Sequence, residues 1–269
     1  MLQIKGIDVY QGDGPVDWAK VKADGAKFAF IKATQGIAYK YVDYFRNNAP
    51  KALGAGLDVG AYHYATFSTV PEALTQAKYF ESVIKDFKLT YPVALDLEEN
   101  KAKVSKKQLT DAAIAFIEYL ENKGYFVMLY TYDSFLDEQL EKERLTNYAP
   151  WIARYQGQLK NHADIWQYTE TGTVEGIAGK VDMNWSYRDF AAEIAAKNKP
   201  AAEIKSLSGQ IGVITVTTNT VIRKGPNPAY DIVNSVKVGD TFKCYGYQDG
   251  WYNVGSGWIK AEYVTFKKI

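Results

Sequence analysis

The sequence predicts an α/β protein: a trimmed barrel of five βα units plus three bare strands, then a small all-β unit. Three observations carry this. Short apolar runs alternate with amphipathic helical stretches as far as Leu140. Strand-like runs then continue to Met183 with only loops between them. From Gln210 onward short strands are separated by turn signals. Alternating strands and helices argue for a parallel sheet, and eight strands can close a barrel. Residues 1–197 fall short of the ~250 typical of a full (β/α)₈ barrel, so the last outer helices are read as missing.

Each element has its own signal. Gly6-Ile7-Asp8-Val9-Tyr10 reads as the first strand. Asp17 is placed to cap a short helix through Lys22. Phe28 to Lys32 is a strand, Tyr44 to Leu53 a helix, and Asp58 to Tyr64 a strand. Pro71 sits near the first turn of a helix reaching Asp86. Val93 to Leu97 is a short buried strand bounded by Pro92. Ser105 caps a long helix to Lys123, with Leu109, Ala113, Phe116, Ile117 and Leu120 on one stripe and Gly124 as its stop. Tyr125 to Tyr130 is a strand, and Ser134 to Leu140 a short helix. Trp151 to Tyr155, Asp164 to Tyr168 and Lys180 to Met183 are the bare strands, followed by a last helix from Ser186 to Lys197. Residues 198–209 are small and polar and read as a linker. Residues 210–269 carry six short strands with turns at Gly225-Pro226, Gly239-Asp240, Asp249-Gly250 and Gly255, the pattern of a small barrel or sandwich.

Composition excludes several classes. A net charge of +1 argues against nucleic acid as a partner. The lone Cys244 rules out an intrachain disulfide framework and reads as a small buried hydrophobe. No apolar run approaches the ~18–20 residues of a membrane span. The start Met1-Leu2-Gln3-Ile4-Lys5-Gly6 lacks the pattern of an ordinary secretory leader. The expectation is a protein made in the cytoplasm and released by another route. His63 and His162 do not form a ligand spacing, so no metal and no cofactor is expected. His63 reads as a hydrogen-bonded strand residue. The chain holds 21 Tyr, 6 Trp and 12 Phe, which suits sugar stacking but also an aromatic core.

The chemistry-bearing feature is Asp96-Leu97-Glu98, which closes the run Tyr91-Pro92-Val93-Ala94-Leu95. Side chains two apart on a strand share a face, and adjacent carboxylates push one proton affinity up. A protonated acid beside an ionised partner can break a glycosidic bond. Taken alone, the same residues could be a solvated cluster at a loop start. Barrel enzymes place their active groups at the C-terminal ends of strands. Asp8, Lys32, Tyr62, Tyr130, Arg154, Trp166, Gln167, Tyr168 and Asp182 join the acid pair at such ends in this reading. Trp251 and Trp258 suit a core and a ligand site equally well.

Seven segments, in order from residue 6 to about residue 190, resemble the family 25 glycoside hydrolases, the Chalaropsis-type lysozymes. They include Gly6-Ile7-Asp8-Val9-Tyr10-Gln11, Phe30-Ile31-Lys32-Ala33-Thr34-Gln35-Gly36, Gly60-Ala61-Tyr62-His63-Tyr64 and Ala94-Leu95-Asp96-Leu97-Glu98. Trp151-Ile152-Ala153-Arg154-Tyr155, Ile165-Trp166-Gln167-Tyr168 and Val181-Asp182-Met183-Asn184 complete them. The resemblance implies a muramidase of the trimmed-barrel type that cuts the β-1,4 bond between N-acetylmuramic acid and N-acetylglucosamine. It implies that Asp8, Asp96, Glu98 and Asp182 are the motif acids, with Glu98 as proton donor. Asp8 and Asp182 are left open between a direct role and an orienting one. Gln35 stands where many members carry Glu. Val221-Ile222-Arg223-Lys224-Gly225-Pro226, Gly250-Trp251-Tyr252-Asn253-Val254 and Gly257-Trp258-Ile259 resemble bacterial SH3-like wall-binding domains. Together they imply peptidoglycan as the partner and a phage endolysin as the type, with a host autolysin, a chitinase-like enzyme or a wall adhesin with a dead barrel as alternatives.

Overall fold

The computed structural model describes residues 2–198, 209–226, 230–248 and 250–269. Most of the linker expected at 198–209, and Asp249 of one expected turn, lie outside them. The chain divides into two compact units, one holding the bulk of residues 2–194 and the other residues 195–269.

The first unit is a closed barrel with strand order β1 to β8. Its strands are β1 Ile4–Val9, β2 Phe28–Gln35, β3 Asp58–Tyr64, β4 Val93–Asp96, β5 Val127–Tyr132, β6 Ala149–Ala153, β7 Ile165–Gly172 and β8 Val181–Ser186. The helices are α1 Trp18–Ala23, α2 Val42–Gly54, α3 Val70–Ile84, α4 Lys106–Asn122, α5 Asp133–Gln139 and α6 Phe190–Asn198. One helix follows each of β1 to β5, and none separates β6, β7 and β8. The sheet is not parallel throughout, as the alternation suggested. β8 runs antiparallel to both β7 and β1. Parallel pairing needs a crossover, whereas a plain loop lets a strand return in the opposite sense.

The helix ends follow the capping chemistry. The Asp17 side chain accepts from Lys20 N at the start of α1. Thr69 and Glu72 form a reciprocal capping box at α3. Ser105 Oγ accepts from Gln108 N before α4.

Strand alternation sorts the barrel into two cores. Outward residues such as Ile7, Ile31, Val59, Leu95, Leu97 and Leu129 pack under the helices with Phe45, Phe80 and Phe116. Inward residues form an aromatic column of Phe28, Phe30, Tyr91, Trp151 and Tyr130. Phe28 stacks on Tyr91 at 4.5 Å, and Phe30 on Trp151 at 4.3 Å. Phe190 of α6 is fully buried against Tyr91 and Phe126 and plugs the lower end. Two glycines make room for these rings. A Cβ on Gly6 would fall 2.3 Å from the Phe28 ring, and one on Gly60 2.3 Å from the Pro92 carbonyl oxygen. The lower barrel is therefore solid, and its other end is the only place for a site in the interior.

The second unit has a five-stranded sheet, β11-β10-β15-β14-β13, and a three-stranded one, β12-β9-β16. The strands are β9 Gly212–Val216, β10 Thr220–Arg223, β11 Ile232–Val236, β12 Thr241–Cys244, β13 Gly246–Gln248, β14 Trp251–Asn253, β15 Trp258–Lys260 and β16 Val264–Lys268. β13 and β16 are additions to the six expected. Ile214, Val216, Ile222, Val236, Cys244, Val254 and Ile259 form its core. Trp251 and Trp258 are buried. Exposed Tyr247 and Phe266 instead flank half-buried Tyr252 in a ladder, with ring centroids 4.9 and 5.0 Å apart.

Candidate active site

A cavity of about 200 Å³ opens at the upper end of the barrel. Its wall contains Asp8, Lys32, Tyr62, Asp96, Glu98, Tyr130 and Asp182 from the expected set. Asp8 points in from β1 on the same face as Gly6. β4 ends at Asp96, and Glu98 stands two residues on, with the intervening Leu97 fully buried on the helix side. Asp182 is the second residue of β8, at its start rather than its end. It reaches this mouth because β8 is antiparallel, and it lies opposite Asp8 in the ladder.

Lys32 reaches the cavity by alternation after Phe28 and Phe30, and a bulge follows it. The β2–β3 register shifts between Lys32 and Thr34. A regular strand would put Lys32 and Thr34 on one face. Here Lys32 faces in, and Thr34 turns out to bond His63 Nδ1 at 2.7 Å. Gln76 Oε1 also accepts from Thr66 N, so His63 Nε2 is the donor in its 2.9 Å bond to Gln76, and Nδ1 accepts. Burial pushes the His63 imidazole down to about 4. His63 thus ties β2, β3 and α3 together as a neutral ring.

Three expected binding residues lie elsewhere. Trp166 and Tyr168 point away from the barrel interior, since Gln167 between them points in. Trp166 Nε1 donates to the Arg154 carbonyl at 2.9 Å, and Tyr168 stacks on Trp185 at 5.8 Å. Arg154 pairs with buried Asp133 at 3.1 Å, which also accepts from Lys160 N and Asn161. Period-2 alternation forbids three consecutive residues from sharing a face. Gln167 lies one layer beneath the cavity.

The same alternation identifies residues outside the expected set. Asn184 follows Asp182, Tyr132 follows Tyr130, and Tyr10 follows Asp8, each at a spacing of two. Tyr10, Tyr64, Tyr132, Trp151, Tyr155 and Glu170 also line the cavity. Glu170 follows a register shift in β7, so alternation could not place it.

The four acids form two pairs with different surroundings. Asp8 Oδ1 accepts from Asn184 Nδ2 at 2.7 Å and Gln167 Nε2 at 2.9 Å. Those amides are held in turn: Trp151 Nε1 donates to Asn184 Oδ1, and the Tyr130 and Tyr155 hydroxyls donate to Gln167 Oε1, all at 2.8 Å. Burial raises Asp8 to about 6, against the pull of its donors. Burial, then the Asp8 charge, raises Asp182 to about 9, and Asp182 donates its proton to Asp8. Between these values the pair holds one proton, on Asp182.

Asp96 and Glu98 also repel. Burial, then the Glu98 charge, holds the Asp96 carboxyl well above the ordinary range. Burial raises Glu98 too, but a bond from the Tyr64 hydroxyl opposes the shift. Both carboxyls are thus held above the ordinary range, and Asp96 is the more deeply buried of the two. Asp96 Oδ1 is buried with no hydrogen-bond partner. Lys32 faces this pair, its ammonium lowered by burial and supported by both carboxylates. Its Nζ donates to Gln35 Oε1 at 2.9 Å and lies 4.6 Å from the centre of the Tyr64 ring. Gln35, being neutral, leaves the Lys32 charge to Asp96 and Glu98.

Buried acids with raised proton affinity, set among tyrosine rings at the mouth of an eight-stranded barrel, equip a protein for acid–base chemistry on a sugar. The class is that of the barrel glycosidases. Residues 7–177 match the model of the glycosyl hydrolases family 25, and the chain belongs to that family. It is 34% identical over 188 residues to the autolytic lysozyme of Clostridium acetobutylicum, covering 67% of this chain and 55% of the relative's length. The bacterial lysozyme from Streptomyces coelicolor superposes with a TM-score of 0.62 at 28% identity, over 72% of this chain and 97% of that one. The CTP1L endolysin superposes with a TM-score of 0.63 at 29% identity, over 73% and 71%.

Proposed function

We infer that the protein is an N-acetylmuramidase that cuts the β-1,4 bond between N-acetylmuramic acid and N-acetylglucosamine in bacterial walls. Family membership and likeness to an autolytic lysozyme and an endolysin support the substrate. The observation that carries the mechanism is the contrast in bonding between the two acid pairs. Asp8 already receives two amide donors and the Asp182 proton. Asp182 stays protonated up to about 9 and is spent on Asp8. Neither is free to activate water at neutral pH. Asp96 and Glu98 keep unused capacity.

Glu98 is the general acid. The sugar's 2-acetamido group is the internal nucleophile, and Asp96 orients it. An acetamido N–H donated to Asp96 favours its ionised form, and a sugar covering Glu98 favours the neutral acid. Substrate binding thereby favours an ionised Asp96 beside a protonated Glu98. Glu98 gives its proton to the glycosidic oxygen as the C1–O bond breaks and the acetamido oxygen closes on C1. Glu98, now a carboxylate, then takes a proton from the water that opens the ring, and the anomer is retained. Proton NMR of the first-formed anomer tests this route, and inversion would defeat it.

The unit formed by residues 210–269 is the wall-binding module, of the bacterial SH3-like type. Residues 1–197 are the catalytic domain and 198–209 the linker. Exposed Tyr247 and Phe266, laddered through Tyr252, support a binding surface there. Likeness to an endolysin supports a phage or prophage origin, and likeness to an autolytic lysozyme supports a host autolysin as the alternative. Zymography on peptidoglycan-loaded gels, with chitin in parallel, checks the whole reading. Clearing of peptidoglycan alone is expected. Equal release from chitin would point to a chitinase-like enzyme, and no clearing to a binding protein.

A further inference from the structure

A second cavity, of about 580 Å³, lies beside the first, and Tyr132 lines both. Its walls come from the loop after β4, including Lys103 and Val104, and from α5 with Phe135 and Glu138. The loop is tied to the helix. Asn100 Nδ2 donates to Gln139 Oε1 at 3.0 Å and to the Val104 carbonyl at 2.9 Å, and Val104 N donates back to Asn100 Oδ1. The cavity is therefore built and does not depend on a ligand to form.

Two features mark it for a charged, extended ligand. Lys103 has φ +52°, the only positive φ of any non-glycine residue among those described. Lysine adopts that conformation rarely. The loop holds it there with Lys103 N bonded to the Asn100 carbonyl at 3.0 Å. Lys103 and Glu138 are both exposed, and neither side chain has an ion-pair or hydrogen-bond partner among the described residues. Their charged neighbours are all engaged: Lys106 with the Asp137 carbonyl, Lys142 with the Asp137 carboxylate, and Arg144 with Glu141 and Asp111. One cavity thus offers an unpaired cation, an unpaired anion and two rings.

We propose that this second cavity receives the stem peptide carried by the muramic acid ring, with Lys103 taking a peptide carboxylate and Glu138 an ammonium. The proposal rests on the muramidase reading of the first cavity. An N-acetylated sugar carries no ammonium and would leave Glu138 unanswered. A peptide containing a diamino acid supplies both charges. Two to three extended residues span roughly 7–11 Å, and the two cavities share the Tyr132 wall. A peptide leaving a sugar bound beside Glu98 would pass Tyr132, whose hydroxyl lies close enough to Glu98 to feel its charge.

The test compares two substrates on the full-length protein: glycan strands bearing peptides, and the same strands stripped of peptide by an amidase. Lys103→Glu and Glu138→Lys should each raise KM on the peptide-bearing strands by up to about fivefold, the upper end for exposed charge pairs. Neither should alter kcat, and neither should change KM on stripped strands. Equal losses on both substrates would assign the cavity to sugar and overturn the proposal. No loss on either would leave the cavity without a role in binding and overturn it as well. Wild-type protein inactive on both would instead overthrow the muramidase reading, and this proposal with it.

Discussion

The pair Asp8/Asp182 and the pair Asp96/Glu98 stand at one barrel mouth, yet they are built differently. Asp8 is reached by three donors, two of them locked by Trp151, Tyr130 and Tyr155 from the opposite wall. Asp96 keeps a buried oxygen with no partner. A carboxylate whose lone pairs are filled resists change, because any new bond displaces an existing one. One left unfilled pays for its burial in raised proton affinity and can form its best bond only with a visitor. The difference separates an acid that shapes a site from one that reacts in it.

The largest effect should come from the reactive pair. Glu98→Gln removes the donated proton while keeping size, so turnover should fall by about 10²–10⁴ with an unchanged melting temperature. Retention of a tenth of wild-type activity would erase the distinction between the pairs. Asp96→Asn should cost on the order of 10² in kcat, the scale for a charge-stabilising group. Because burial raises both acids, the wild-type activity bell should lie above the range set by ordinary carboxyls near 4. Asp96→Asn should flatten one limb of it. A full bell in that variant would place the second titration elsewhere.

Asp182→Asn sharpens the comparison from the other side. An amide N–H can replace the hydroxyl that reaches Asp8, so activity should fall less than about tenfold. Stability provides the sign. The Asp182 proton is held to about 9, above the ordinary value near 4. Its stabilising contribution is whole below the ordinary value, declines as pH rises, and is gone above about 9. The asparagine variant has no such loss, so its melting temperature should gain on wild type from pH 5 to pH 9, by about 2–4 °C per kcal/mol. A trend in the opposite direction would make Asp182 an ordinary ionised acid. Least of all should the barrel notice Tyr247→Ala with Phe266→Ala. Release from soluble glycan should be unchanged, and affinity for intact walls should drop a few-fold through lost second attachment. Slowed soluble turnover would contradict the division of labour.

Much of this was legible from charge and spacing. Asp96 and Glu98 announced themselves as acids ending an apolar run, and alternation alone put both on one face. The same rule, applied through Gln167, would have removed Trp166 and Tyr168 from the site and added Asn184, Tyr132 and Tyr10. The direction of β8 was not legible, because β6 and β7 also follow each other without a helix and yet pair parallel. Nor was the outward turn of Thr34. Phe30-Ile31-Lys32-Ala33-Thr34 reads as an unbroken strand, and only the Thr34–His63 bond explains the bulge. How far each acid is raised depends on depth of burial, a property of the closed barrel and not of the motif.

The antiparallel β8 has a consequence in time. The seam that closes the barrel pairs Ile4–Asp8 with Asp182–Ser186, one end of the domain with the other. Such long-range pairing is slow to form because the intervening chain must first be brought together. On a ribosome it must wait until Ser186 has left the exit tunnel. Asp8 therefore lacks Asn184, Gln167 and Asp182 throughout most of synthesis, and the mouth is finished only when the domain is nearly whole. A nascent chain cut short between Glu98 and that point carries Asp96 and Glu98 on an open sheet, and an interrupted translation yields a fragment without the assembled site.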